Sequence, residues 1–222
     1  MSIKTNLKTI NDEIAGRGVT LCAVSKFHSE EAIMEAYSEG QRIFGENLVQ
    51  ELVPKYRHLP KDIEWHLIGH LQTNKVRLIA PFVAMVQSVD SERLLKELNK
   101  EAEKCGRKIK ILLQVHIAQE EHKFGFSEEE MIKLFASGTV KKYENLLVCG
   151  LMGMATFTDN ENRIRAEFRR LKRLFDNIRE NFPVDKINFT EISMGMSDDF
   201  NIAIEEGSSI IRIGSRIFGR RF

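Results

Sequence analysis

The sequence has few of the residues that cross-link or separate small structural units. Only three cysteines, Cys22, Cys105 and Cys149, occur in 222 residues, they lie far apart, and no CxxC pair is present. This spacing argues against a zinc ribbon and against a disulfide framework, because both need paired cysteines. We therefore predict a protein of a reducing compartment, and expect it to be cytoplasmic.

Long apolar runs and an excess of one charge are also missing. No apolar run reaches the ~18 residues that suggest a membrane helix, and the N-terminal segment has no apolar h-region of a secretory signal. Lys and Arg number 33 against 32 Asp and Glu, for a net charge of +1, whereas non-specific nucleic-acid binders carry a basic excess. We expect neither a membrane nor a nucleic acid as a partner.

Linker signals are equally scarce. The chain has four prolines and no Ser/Gly-rich or low-complexity stretch, so nothing in it indicates a domain boundary. We predict a single domain over 1–222, with an N-terminal helical segment at 1–18 and the remainder of the domain at 19–222.

Short apolar segments alternate with helical segments along the chain. The segments are nearly continuous in apolar character, which is typical of parallel strands covered by helices on the outside. With about 25 residues per strand–helix unit, they fit an α/β fold consisting of a single (β/α)8 TIM barrel with an extra N-terminal helix. A doubly wound open sheet is the alternative, and the strand count favours the barrel. The predicted strands span 19–24, 42–44, 64–68, 82–86, 110–115, 146–151, 189–193 and 209–213.

A lysine follows the first predicted strand, where barrel enzymes place residues of the active face. Lys26 ends the run Leu21-Cys22-Ala23-Val24-Ser25. One interpretation is a Schiff-base amine, since burial lowers the pKa of a lysine and exposes the nucleophile. The other is a lysine that simply reaches solvent at a strand end. Position alone leaves both open.

Glycine and serine follow the last two predicted strands, in Met194-Gly195-Met196-Ser197 and Arg212-Ile213-Gly214-Ser215. Glycine lets the backbone approach an anion, and N–H groups and hydroxyls can bind its oxygens. A helix predicted to begin near Asp198 would present its N-terminus there. Ordinary turn chemistry is the alternative. Together with Lys26, a phosphate site indicates a phosphorylated carbonyl ligand, either an aldolase's sugar phosphate or pyridoxal phosphate.

Two histidine-containing segments carry less information. His66 and His70 are four residues apart, as in a helical metal pair, but the segment is predicted to be a strand, so we predict no metal site. His116 begins a polar loop over 116–122 and receives no role.

A set of motifs in order from about residue 20 to the C-terminus resembles the pyridoxal phosphate homeostasis proteins. The set is specific as a combination, although no single motif would be. It comprises Ala23-Val24-Ser25-Lys26, Phe44-Gly45-Glu46-Asn47 with Gln50-Glu51, the stretch Trp65-His66-Leu67-Ile68-Gly69-His70-Leu71-Gln72-Thr73-Asn74-Lys75, Lys123-Phe124-Gly125-Phe126, Gly150-Leu151-Met152, Ser193-Met194-Gly195-Met196-Ser197-Asp198-Asp199 and Arg212-Ile213-Gly214-Ser215-Arg216-Ile217-Phe218-Gly219.

The resemblance implies a fold like the N-terminal barrel of bacterial alanine racemase, with pyridoxal 5′-phosphate (PLP) as the cofactor. It implies that PLP forms a Schiff base with Lys26 and that Arg212 faces the pyridine nitrogen. By analogy, phosphate contacts fall to Ser197, Gly214 and Ser215. The implied cofactor-binding set is Lys26, Asn47, Met196, Ser197, Arg212, Gly214 and Ser215.

The resemblance also implies a carrier rather than an enzyme. An arginine beside the pyridine nitrogen cannot accept a proton, and it disfavours ring protonation, which weakens the electron sink of most PLP chemistry. Racemases of this fold draw a tyrosine base from a second domain, which we do not expect here. We therefore expect a contribution to intracellular PLP homeostasis without robust catalysis, with PLP-dependent apoenzymes as possible recipients and a monomer or weak dimer. A PLP-dependent amino-acid racemase or related enzyme is the alternative.

Four residues depart from the family pattern. His116 stands where an asparagine is expected, Leu48 where an aromatic or basic residue is common, and Ser215-Arg216 where Thr-Ala is usual. None of them removes Lys26 or the glycines.

Overall fold

The computed structural model describes residues 2–118, 124–182 and 188–219. Lys123 of the Lys123-Phe124-Gly125-Phe126 motif and most of the predicted polar loop at 116–122 lie outside these residues.

Eight parallel strands close into a barrel, in which each strand pairs with the next and the last pairs with the first. This confirms the predicted (β/α)8 TIM barrel. The strands are β1 (Thr20–Val24), β2 (Ile43–Glu46), β3 (Glu64–Leu67), β4 (Met85–Val89), β5 (Ile109–Gln114), β6 (Leu146–Met152), β7 (Glu191–Ser193) and β8 (Ile210–Ile213).

Helices surround the strands, and the predicted N-terminal helix is present. The described helices are α1 (Ile3–Ile14), α2 (Glu30–Ser38), α3 (Val49–His58), α4 (Val76–Ile79), α5 (Glu92–Lys104), α6 (Glu128–Ala136), α7 (Glu161–Asn181), α8 (Phe200–Glu205) and α9 (Ser215–Phe218). Among these described helices, none combines the length and apolar character that crossing a lipid bilayer requires.

Helix α1 is bonded to α9, the last helix of the barrel. The side-chain amide of Asn6 donates to the carbonyl of Ile217 at 2.9 Å, and Arg216 pairs with Glu13 at 2.6 Å. The extra helix therefore packs where the chain leaves β8.

The barrel interior is filled by a small apolar cluster separate from the main core. Its members come from five strands, as expected for side chains that point inward from a closed sheet. They are Cys22, Met85, Leu112, Cys149, Met152 and Ile210.

The fourth strand differs from the prediction. It was expected at 82–86 and runs over Met85–Val89 instead. Phe82 precedes the strand and stacks on Tyr56 of α3, with ring centroids 3.8 Å apart. The segment 79–86 is too uniformly apolar for its pattern to reveal where the strand begins.

The second and seventh strands are also displaced. Glu46 was expected beyond the second strand but is its last residue, fully buried. The seventh begins at Glu191 instead of 189, and Phe189 packs on the ring of Phe175.

Candidate functional site

A cavity of about 460 Å³ opens at the carboxyl end of the barrel strands. This is the end at which barrel proteins build their functional sites. The structure brings all seven residues of the predicted cofactor-binding set to its walls: Lys26, Asn47, Met196, Ser197, Arg212, Gly214 and Ser215.

Lys26 lies in the turn that leaves β1. The next residue, Phe27, has a φ of 66° and is the only non-glycine residue with a positive φ in the described part of the chain. This conformation is unfavourable for a residue with a side chain and persists where neighbours hold it in place. The N–H of Phe27 donates to Oε2 of Glu51 at 2.6 Å, so α3 helps to hold the turn.

A buried ion pair lies beneath this turn. Nζ of Lys55 donates to Oε1 of Glu46 at 2.8 Å and to the carbonyl of Ser25 at 2.9 Å. The hydroxyl of Ser25 donates to the same oxygen of Glu46 at 2.6 Å. Burial raises the pKa of Glu46, although the charge of Lys55 opposes the shift. This pair was not predicted from the sequence, where the signal for it was a glutamate next to a buried apolar strand.

Two glycines allow the close approach of the strand ends near the predicted phosphate site. Gly195 has a φ of 94°, and a Cβ there would lie 2.6 Å from that of Ala203. A Cβ on Gly214 would lie 3.0 Å from the carbonyl oxygen of Val24. Any larger residue would therefore push β8 away from β1 or distort the turn after β7.

The turn after β7 leaves backbone donors available. The N–H groups of Ser197 and Asp198 have no hydrogen-bond acceptor among the described residues, whereas the N–H of Met196 donates to Oδ1 of Asp199 at 2.6 Å. The helix expected near Asp198 begins only at Phe200. The donors at this wall are therefore the turn's own N–H groups and the hydroxyls of Ser197 and Ser215.

Arg212 is buried at the base of the cavity and begins a hydrogen-bonded chain. Its terminal nitrogens donate to the hydroxyl of Ser193 at 2.6 Å and to the carbonyl of Gly153 at 2.9 Å. Its Nε has no acceptor in the described part of the protein. Burial lowers the pKa of Arg212 to about 10, so the guanidinium stays charged at neutral pH.

This hydrogen-bonded chain continues across the barrel interior, and the direction of each of its bonds can be determined. Because Ser193 accepts from Arg212, its own proton goes to Oε1 of Gln87 at 2.6 Å, and Nε2 of Gln87 faces Nδ1 of His66 at 2.9 Å. His66 must therefore accept at Nδ1. Burial, with the charge of Lys110, lowers the pKa of His66 to about 3, which keeps the ring neutral.

The charges on the cavity wall favour an anion. Lys26 and Arg212 contribute two cations, and Asp198 contributes the one carboxylate among the described lining residues. A net positive wall raises the local concentration of a negatively charged ligand.

His70 stands at the cavity mouth with a carboxylate partner. Its Nδ1 lies 2.7 Å from Oδ2 of Asp90, and its ring stacks on Phe124 with centroids 3.9 Å apart. His66 and His70 thus do not act together: the first ends the interior chain, and the second lines the cavity. Among the described residues, no three His, Cys, Asp or Glu side chains are grouped to hold a metal ion.

His116 remains without a role. Its Nε2 is buried and has no hydrogen-bond partner in the described part of the chain, and the residue does not line the cavity. Leu48, a second departure from the family pattern, is an exposed residue that precedes α3.

Comparisons with known proteins agree on one family. Residues 1–221 match the alanine racemase N-terminal domain family. The pyridoxal phosphate homeostasis protein of Aquifex aeolicus is 38% identical over 213 residues, which cover 94% of this chain and 91% of that protein. The protein of the same name from Haemophilus influenzae is 36% identical, with coverage of 100% and 97%.

Solved structures give the same picture. PipY of Synechococcus elongatus superimposes with a TM-score of 0.90 without PLP and 0.88 with PLP bound, at 34% and 33% identity, over 98% of this chain and 100% of PipY. Alanine racemase of Bartonella henselae superimposes with a TM-score of 0.71 at 15% identity over 99% of this chain and 60% of the racemase, and so shares the barrel fold.

Proposed function

This chain belongs to the alanine racemase N-terminal domain family and, within it, to the pyridoxal phosphate homeostasis proteins, and on that premise we propose that it binds PLP at the carboxyl end of its barrel. The observation that carries the proposal is the meeting of Lys26, Arg212, Ser197 and Ser215 around one cavity. The relatives from Aquifex aeolicus and Haemophilus influenzae both carry the homeostasis name, and PipY binds PLP in one of its structures.

The residues present fit the three chemical parts of PLP. The unused N–H groups and hydroxyls at Ser197 and Ser215 suit a phosphate, whose oxygens accept hydrogen bonds. The unused Nε–H of Arg212 suits the lone pair of a pyridine nitrogen. When bound, PLP supplies an aldehyde that condenses with a primary amine, and Lys26 is the lysine on the described cavity wall. Asn47, Met196 and Gly214 complete the proposed contacts.

We assign the protein a carrier role, with PLP held as a Schiff base on Lys26 and contributed to the intracellular supply of the cofactor. Arg212 supports this role because a permanently charged guanidinium donates hydrogen bonds and cannot accept one from a protonated ring nitrogen. It therefore disfavours ring protonation and weakens the electron sink. PLP-dependent apoenzymes are the proposed recipients, and the proposed state is a monomer or weak dimer of the cytoplasm.

The test is to load the protein with PLP, reduce it with borohydride and locate the label by peptide mass analysis. We expect a visible absorption band before reduction and a label on Lys26. Lys26→Ala should carry no label, whereas Lys75→Ala, a lysine that does not line the cavity, should be labelled like the wild type. A label on another lysine, or none, overturns the proposal.

One observation favours a second candidate, a PLP-dependent racemase or related amino-acid enzyme. His70 lines the same cavity as Lys26 and is oriented by Asp90, as a general base would be. This function predicts exchange of an amino acid's α-proton in deuterated water, with loss of exchange in Lys26→Ala. No exchange across a panel of amino acids rules it out.

A further inference from the structure

Both neighbours of Lys26 are hydrogen-bonded to one group of side chains, which we call the Lys55 cluster: Ser25, Glu46, Glu51 and Lys55. On one side, the carbonyl of Ser25 accepts from Lys55. On the other side, the N–H of Phe27 donates to Glu51, which also lies 3.4 Å from Nζ of Lys55. The ammonium group of Lys55 thus holds the backbone before Lys26 directly, and it contacts the carboxylate that holds the backbone after Lys26.

The burial of this cluster indicates a role other than stability. The side chain of Lys55 is 8% exposed and that of Glu46 is 0% exposed. Removing two charges from water costs several kcal/mol per ion, and a buried pair often contributes no more stability than apolar residues of the same volume. Oε2 of Glu46 is buried without a partner in the described chain, which adds to the cost. The pair does provide hydrogen bonds of fixed direction between Lys55, Glu46 and the backbone next to Lys26.

The backbone beside Lys26 needs such fixing. A left-handed φ is strained at a residue with a side chain, and it persists where the surroundings determine it. The bond from Phe27 to Glu51, with Glu51 near Lys55, contributes to that determination, together with the bond from the N–H of His28 to the carbonyl of Ser25 at 3.1 Å. We expect the loss of the Glu51 bond to loosen the turn and to change the direction in which the Lys26 side chain leaves the backbone.

We propose that Lys55 is a positioning residue, which holds the turn that carries Lys26 so that the Lys26 amine meets the PLP aldehyde in reacting geometry. This inference rests on the proposed function and adds to it a residue outside the cavity wall. Lys55 lies on α3 and does not line the cavity. It therefore acts on the bond-forming reaction through Lys26 and makes no contribution to holding the phosphate.

The test separates bond formation from binding in the Lys55→Met variant. Schiff-base formation is followed by absorbance after PLP is mixed with the protein. Affinity is measured separately with pyridoxine 5′-phosphate, which has an alcohol in place of the aldehyde and cannot form the bond. Since a misplacement of about 1 Å can slow a reaction on the order of 100-fold, we expect bond formation to slow by at least about tenfold. Affinity for pyridoxine 5′-phosphate should stay within about threefold.

A matched control is available at the opposite end of the same strands. Arg42 precedes β2 and, like Lys55, bonds a carboxylate and backbone carbonyls, those of Asp62, Tyr37 and Gln41. Arg42→Met should leave the rate of bond formation at the wild-type value. If Arg42→Met and Lys55→Met slow the reaction equally, the effect is general destabilisation and the inference is wrong.

Two milder variants keep the test decisive if Lys55→Met does not fold. Lys55→Arg keeps the charge and should retain most of the rate. Glu51→Ala, at a side chain that is 21% exposed, removes the acceptor of the Phe27 N–H and should slow bond formation while pyridoxine 5′-phosphate still binds. An unchanged rate in Glu51→Ala and Lys55→Met, or in Glu51→Ala alone where Lys55→Met is lost, overturns the inference. Wild-type protein that shows no label on Lys26 overturns the proposed function instead, so the two failures are distinct.

Discussion

The hydrogen-bonded chain from Arg212 to His66 makes the stability of the protein sensitive to acid, and the size of the effect can be calculated from the pKa of His66. Burial lowers the pKa of His66 to about 3. In the unfolded chain, histidine has a pKa near 6.5, so between these values the unfolded state binds more protons than the folded state. The contribution of neutral His66 to stability is therefore complete above pH ~6.5 and is lost as the pH falls towards 3.

The geometry explains why His66 resists protonation. A proton on Nδ1 would face the Nε2 donor of Gln87, and the amide cannot turn over without losing the hydrogen bond from Ser193 to Oε1. At pH 5, about 1.5 pH units below the unfolded pKa, the loss amounts to about 2 kcal/mol at roughly 1.36 kcal/mol per unit.

The measurement is the free energy of unfolding in urea at pH 7.5 and pH 5.0, for the wild type and for His66→Asn. The asparagine oxygen can replace the Nδ1 acceptor but cannot gain a proton, so the variant's stability should fall by about 2 kcal/mol less than the wild type's over this range. Burial raises the pKa values of Glu46 and Asp199, so a lower pH increases the stability of the fold at these two sites. The wild type and His66→Asn both contain these residues. The difference between the stability losses of the two proteins therefore reports on His66.

Equal drops in the wild type and in His66→Asn would refute the reasoning, because His66 would then not be the group that titrates.

Two further predictions concern the cavity wall. Ser197→Ala and Ser215→Ala should each remove a hydrogen bond to a charged group, worth about 1.5–3 kcal/mol. In a titration, each change should weaken pyridoxine 5′-phosphate binding about 10- to 150-fold. Unchanged affinity in both variants would show that these serines do not belong to the site. Gly69→Ala would place a Cβ 2.5 Å from the backbone oxygen of Asn47. We therefore expect the free energy of unfolding to fall by about 1–3 kcal/mol and the uptake of PLP to weaken. A variant as stable as the wild type would show that this contact relaxes freely.

The barrel was predictable because its signals are local and repeated. Continuous apolar strands, the capping box at Ser127 and Glu130, and the apolar stripe of α7 are each readable within one segment, and the structure contains them. The strand ends were harder to place. Glu46 ends β2 as a fully buried carboxylate that pairs with Lys55 of the following helix, and a sequence pattern does not reveal that partner.

The residues of the cavity wall could be predicted from the sequence because a barrel places the carboxyl ends of all its strands on one face. That rule, with the resemblance to a known family, sufficed to select Lys26, Arg212 and the glycine–serine turns. The rule does not predict which other side chains hold these residues in place. Gln87 and Ser193 are polar residues inside apolar strands, and their partners lie 21 and 106 residues away in the chain.

The two supporting networks lie on opposite faces of the sheet, and this follows from the alternation of side chains along a strand. Gly45 faces inward, since a Cβ there would meet Cys22 and Ile68, so its neighbour Glu46 faces outward to Lys55 on α3. Arg212, paired in register with Cys22, faces inward. The proposed amine is thus supported from outside the barrel and the proposed ring contact from inside. Because the networks share no residue, the turn that carries Lys26 and the guanidinium of Arg212 are held independently, and the closed sheet between them fixes their relative positions.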